Sequence, residues 1–193
     1  MIRCFIILLL FPSLVSAIEI DVLLTNGTIY DGKSLENRIG DIAINNGKII
    51  DLAKNKTVTA KLVIDCTGKI ICPGFIDLHN HSDNQVVAAA TRANINYLLQ
   101  GCTTIVTGNC GSGPVNVDKY YTEINQAGSG TNVIHLLAQG SLRRQVMGSE
   151  RRKATSAEQA AMLELADKAM SAGAWGMSTG LIYGPSPYAD TAE

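Results

Sequence analysis

The stretch Pro73-Gly74-Phe75-Ile76-Asp77-Leu78-His79-Asn80-His81 decides how the rest of the chain is read. Pro73-Gly74 punctuates the sequence, and the short apolar run Phe75 to Leu78 predicts a strand. Side chains at i, i+2 and i+4 of a strand share a face, so extended chain through His81 aligns Asp77, His79 and His81 at the strand's C-terminal end. Two neutral imidazoles on one face can bind a divalent transition metal, zinc foremost, and a carboxylate just below them can orient a ring nitrogen. An isolated His-x-His is weak evidence for a metal, because loop histidines without one are common. Here two of the chain's three histidines fall at the mouth of one strand, which makes the metal reading the stronger. The third, His135, lies inside a later strand and reads as a packed, hydrogen-bonded core residue.

Before this stretch, residues 18–72 repeat short β-branched runs separated by glycine-containing turns at Asn26-Gly27, Asn46-Gly47 and Thr67-Gly68. The first two are strong hairpin dipeptides, since both central residues tolerate positive φ. The runs Val22 to Thr25, Thr28 to Tyr30, Asp41 to Ile44, Lys48 to Leu52, Leu62 to Ile64 and Lys69 to Ile71 predict a small β-domain.

After Pro73 the pattern changes to short apolar strands alternating with longer helical stretches, the signature of βα units around a parallel sheet. Strands are expected at Phe75 to Leu78, Thr103 to Thr107, Asn132 to Ala138 and Trp175 to Ser178, and helices at Val86 to Gln100 and Val117 to Gln126. The helix before the fourth strand is the clearest, with a capping box at Thr155 and Glu158, an apolar face of Met162, Leu165, Ala166 and Ala169, and Gly173 closing it. Four such units make about the first half of an α/β, TIM-like (β/α)8 barrel in residues 73–193, and a complete barrel typically needs about 250 residues. The catalytic face of such barrels lies at the C-terminal ends of the strands.

Composition narrows the partner. With 46% hydrophobic and 17% charged residues the chain has globular values, and a net charge of -1 without a basic stripe gives no electrostatic reason to expect nucleic acid. Residues 1–17 read as a signal peptide: Arg3 is basic, Phe5 to Leu10 is apolar, and Val15-Ser16-Ala17 is a small-residue cleavage site. The expectation is export to a periplasmic or extracellular compartment, with no stable membrane association once the signal is removed. An oxidising compartment favours disulfides. Cys66 and Cys72 sit roughly 20 Å apart if the chain between them is extended, and meet only if Thr67-Gly68 folds them together, so pairing of Cys66, Cys72 and Cys102 stays open.

The Pro-Gly-Phe-Ile-Asp-Leu-His-Asn-His stretch behind a turn-rich β-domain resembles the amidohydrolase superfamily, whose metal centre lies in a barrel flanked by a small β-sandwich. Three further segments are similar to N-acyl-D-amino-acid deacylases: Gly108-Asn109-Cys110-Gly111, Gly140-Ser141-Leu142-Arg143, and Gly176-Met177-Ser178-Thr179-Gly180-Leu181-Ile182-Tyr183. The resemblance implies hydrolysis of a small-molecule N-acyl-D-amino acid at one or two Zn2+ ions. It implies His79 and His81 as ligands at one metal position, Cys110 as the thiolate ligand at the other, and Ser178, Thr179 and Tyr183 at the substrate. Gln139 stands where many relatives carry histidine, which removes a titratable group. The two further histidines and the general-base aspartate that later strands supply in the family are not in this sequence, so the polypeptide is expected to be truncated and inactive by itself. The competing expectations are another amidohydrolase, acting on cyclic amides or N-acetyl sugars, and a non-catalytic fragment.

Overall fold

A computed structural model describes residues 17–51 and 58–193; the expected signal peptide and Leu52 lie outside the described residues apart from Ala17. The chain separates into two compact units, Met1–Pro73 and Gly74–Glu193.

The first unit holds strands β1 (Ile18–Ile29), β2 (Arg38–Asn45), β3 (Lys48–Ile50), β4 (Val58–Asp65) and β5 (Ile70–Ile71). These form one five-stranded sheet in the order β3-β2-β1-β4, with β5 also on β1. Asn46-Gly47 turns the β2–β3 hairpin as expected, with φ of 50° and 70° at its two residues. Asn26-Gly27 does not make a hairpin. Strand β1 runs straight through it, and the register against β2 slips between Leu24 and Gly27, which makes the dipeptide a β-bulge with Asn26 at φ 59°. Packing selects the glycine, since a Cβ on Gly27 would lie 2.3 Å from the Ile71 side chain. Thr67-Gly68 likewise joins β4 and β5 as successive parallel partners of β1. Cys66, Cys72 and Cys102 carry free thiols. Among the described residues the strands form a single layer, and its buried apolar residues are few: Ile20, Ile29, Ala43 and Cys66.

The second unit is built on parallel strands. Its strands are β6 (Phe75–Asp77), β7 (Cys102–Thr107), β8 (Asn132–His135), β9 (Leu137–Ala138) and β10 (Met177–Ser178). Strand β7 pairs in parallel with β6 and β8, and β9 with β10. Only Leu136 separates β8 from β9, and its N–H donates to the Thr107 carbonyl at 3.0 Å, so the two are one strand path with an irregular step. The four strand paths therefore lie side by side in chain order, as successive strands of a barrel do.

Helices α1 (Ile95–Leu98), α2 (Val117–Ala127), α3 (Gln139–Met147) and α4 (Ser156–Ser171) complete the unit. The helix expected from Val86 to Gln100 is reduced to α1, because the chain before it runs in turns and Asn94 adopts φ 47°, where its buried amide donates to Thr131 Oγ1 at 2.8 Å. Helix α3 was not among the expected elements; its glycine, two glutamines and two arginines obscure any apolar period. Helix α4 has the capping box read from Thr155 and Glu158. Arg152 grips the same carboxylate at 2.7 and 2.8 Å and holds Glu158 down at about 2. Met162 and Ala169 of α4 pack with Leu142 and Met147 of α3 around the fully buried Leu137. A second cluster sets Val86, Tyr120 and Ile124 against Ile105 of β7.

Candidate metal centre

The path from Asp77 to Ser82 is not the continued strand the alternation suggested. Strand β6 stops at Asp77, whose carboxylate accepts the His79 N–H at 3.2 Å, and Asn80 repeats the device by accepting the Ser82 N–H at 3.1 Å. Asp and Asn side chains that bond the backbone two residues ahead compete with the sheet ladder and turn the chain away from it. Asp77 thus holds the backbone of His79, where the sequence suggested that it would orient an imidazole. Two successive turns still set the histidines together, with ring centroids 5.4 Å apart in an edge-to-face arrangement.

The thiol arrives from the next strand. Beyond β7, Gly108, Cys110 and Gly111 all take left-handed φ values, of 79°, 55° and 70°. A non-glycine residue in that region costs roughly 1–2 kcal/mol, so the surrounding contacts must hold Cys110 there. Asp83 accepts the Gly108 N–H at 2.7 Å, and the Asn109 amide donates to the carbonyls of Val106 and Asn80 at 2.7 and 3.3 Å. From β10, Ser178 Oγ accepts the Gly111 N–H at 3.0 Å and donates to the Gly108 carbonyl. Gly108 itself admits no substitute, because a Cβ there would lie 2.0 Å from the Leu136 carbonyl oxygen.

The result brings the three sequence-derived ligands together: the donor atoms of His79, His81 and Cys110 all lie within 4.8 Å of one another. His79 Nε2 stands 3.3 Å from Cys110 Sγ. Around a tetrahedral zinc, an imidazole nitrogen and a thiolate sulfur at their usual bond lengths are about 3.5 Å apart, so this pair fits one ion, where the resemblance set the imidazoles and the thiol at two metal positions. Imidazole with thiolate is also a donor set suited to zinc.

Beneath the trio lies a buried polar layer. His135 is fully buried, its Nε2 2.9 Å from the Pro114 carbonyl and its Nδ1 2.8 Å from Thr107 Oγ1, with Asp83 3.9 Å from Nδ1. An N–H at Nε2 donates to that carbonyl, leaving Nδ1 to accept from the threonine. Burial lowers the His135 pKa below 6.5 and pushes the Tyr120 phenol well up. His135 is thus a satisfied core residue, as its place in a strand implied.

A cleft of about 380 Å³ opens beside the donors, with His81, Cys110, Ser141, Arg144 and Tyr183 among its walls. Tyr183 lies on the cleft wall. Ser178 and Thr179 do not line the cleft: the Ser178 hydroxyl is engaged by the Cys110 turn, and Thr179 is exposed beside it. Gln139 is buried and donates to the Glu193 carboxylate at 2.9 Å, consistent with a structural place for an amide. Sequence reasoning missed Asp83 and Arg144. The first was legible as a carboxylate two residues past His81, the second as the arginine following the Gly140-Ser141-Leu142-Arg143 segment.

Comparison with known proteins finds relatives in both sequence and fold. The chain is 34% identical to an N-acyl-D-aspartate deacylase of Alcaligenes xylosoxydans xylosoxydans, over 91% of this chain and 39% of that one. It is 32% identical to a D-aminoacylase of the same organism, over 90% and 40%. Among solved structures, an N-acyl-D-glutamate deacylase from Bordetella bronchiseptica, complexed with zinc and a phosphonate inhibitor, superposes with a TM-score of 0.83 at 32% identity, over 90% of this chain and 41% of that chain. The chain thus spans about 40% of the length of the relatives it matches. The model of the amidohydrolase family matches residues 62–191, which include His79, His81, the cysteine turn and all four strand paths of the second unit; the chain belongs to that family.

Proposed function

We propose that the intact protein hydrolyses the amide bond of N-acyl-D-amino acids, giving a carboxylate and a free D-amino acid, and that His79, His81 and Cys110 hold zinc for that reaction. One observation carries the reading: two imidazoles and a thiol converge within 4.8 Å at the strand ends, beside an open cleft. The names of the matched relatives, deacylases of N-acyl-D-aspartate and N-acyl-D-glutamate and a D-aminoacylase, supply the substrate class.

Zinc, when bound, supplies a Lewis acid for the scissile carbonyl and for water. The chain's own contribution is positional. The turns at Asp77 and Asn80 present the two imidazoles together, and the braced turn at Cys110 points a thiol at them from the neighbouring strand. Tyr183 and Arg144 form cleft wall where the acyl-amino acid is held. The pattern of residues 1–17 supports export as well, and an N-terminus near Ile18 in protein recovered outside the cytoplasm would establish it.

The test is release of D-amino acid from N-acetyl-D-aspartate, N-acetyl-D-glutamate and N-acetyl-D-methionine by the intact, zinc-loaded protein, with the L-enantiomers alongside. Turnover of the D series that chelation abolishes and zinc restores is the expected result. A zinc-loaded protein that leaves every D-substrate intact refutes the proposal.

A further inference from the structure

The cleft beside the metal-ligating trio carries Arg144 on its wall and no carboxylate among its described lining residues. Arg144 follows Arg143 on α3, and the two side chains go to opposite fates because consecutive helical residues point about 100° apart. Arg143 is fully buried and paired with the Glu193 carboxylate. Arg144 faces the cleft, and its Nη2 donates to the Gly184 carbonyl at 2.7 Å. That bond ties the guanidinium to the loop next to Tyr183, yet uses only one of its five N–H donors. The arginine ion pairs among the described residues belong to Arg143 and Arg152, so the charge of Arg144 is uncompensated there.

A positive fork anchored by one arm, beside the donors that would hold a metal, suits a planar anion reaching the same ion through another part of its structure. Arginine forms paired, charge-assisted hydrogen bonds with carboxylates. Every N-acyl amino acid bears an α-carboxylate, and the acidic ones bear a second on the side chain. We propose that Arg144 is the specificity-determining residue of this cleft and binds a carboxylate of the substrate while the acyl amide lies toward His81 and Cys110. The proposal rests on the deacylase reading above.

The experiment uses the intact, zinc-loaded protein and two acid–amide pairs. N-acetyl-D-leucine against N-acetyl-D-leucinamide reports the α-carboxylate, and N-acetyl-D-aspartate against N-acetyl-D-asparagine reports the side-chain carboxylate. Hydrogen bonds to a charged group contribute enough that wild-type protein should prefer the acid in one pair by roughly ten- to hundredfold, chiefly in KM. Arg144→Met should bring that ratio near unity, and Arg144→Lys should keep part of it. Calorimetric titration of the same four compounds reads the preference without turnover, so it separates the two proposals. Binding that favours the acid in wild type and not in Arg144→Met supports this role even if no product forms, whereas absent turnover alone sinks the deacylase reading. An acid–amide preference that is missing in wild type, or unchanged in Arg144→Met, overturns the role of Arg144. Both variants alter an exposed side chain, and an unchanged unfolding midpoint confirms that each is folded.

Discussion

Replacing Ser178 with alanine isolates the link between the fourth strand and the thiol. The hydroxyl accepts the Gly111 N–H at 3.0 Å and donates to the Gly108 carbonyl, so a single oxygen closes both ends of the turn that carries Cys110. Gly108 and Gly111 are buried, and water cannot readily take over either bond. A buried polar group left without its partner costs about 1–3 kcal/mol, so losing two partners should cost roughly 2–6 kcal/mol. The strain of holding Cys110 at φ 55° adds a reason for the turn to open once the brace is gone. Urea unfolding of the intact protein measures the loss as a shift in midpoint at unchanged slope. Alkylation of Cys110 in the native state, which should speed up in Ser178→Ala, measures the loosened turn. A change below about 0.5 kcal/mol, the usual scatter of neutral surface substitutions, together with unchanged alkylation, would show that Ser178 does not brace the turn.

Leu137 is fully buried where α3 and α4 meet β9, and Leu137→Ala should destabilise the second unit by about 2–5 kcal/mol, read as a lowered urea midpoint. His135 predicts a pH dependence. Burial holds its folded pKa below the ordinary histidine value of 6.5, so the unfolded chain takes up a proton more readily, and the stability His135 contributes is intact above 6.5 and drains away as pH falls from there through its lowered folded value. Unfolding midpoints measured from pH 7.5 to 5 should decline in wild type and decline less in His135→Gln; equal slopes would contradict the assignment.

The parts of the fold legible in the sequence were those set by local chemistry. The capping box of Thr155 and Glu158 and the Asn46-Gly47 hairpin need only neighbouring residues, and both formed where expected. Asn26-Gly27 has the same local chemistry as Asn46-Gly47, but its fate depends on β4 and β5, which pair along both sides of the bulge and keep β1 continuous. Tertiary pairing chose between the two turn outcomes, and no short window shows that. The same holds at the site. The types and spacing of His79 and His81 suggested a metal site, and the family resemblance added Cys110, whereas the way the two histidines are presented depends on side chains bonding backbone two residues ahead. Asp83 stayed hidden, and Ser178 was expected at the substrate rather than in the cysteine turn, because their work is to hold Gly108 and Gly111, 25 and 67 residues away in sequence.

The most direct measurement is a cobalt titration of the intact apo-protein, with cobalt as a spectroscopic stand-in for zinc, compared with Cys110→Ser and with a His79→Ala, His81→Ala double variant. Wild type should develop a thiolate-to-cobalt charge-transfer band as the ion binds, and zinc should displace it. Cys110→Ser should bind more weakly without the band, and the double variant should lose affinity as well. Tight binding with no thiolate band, or a band undisturbed by loss of both histidines, would contradict a shared site built from His79, His81 and Cys110.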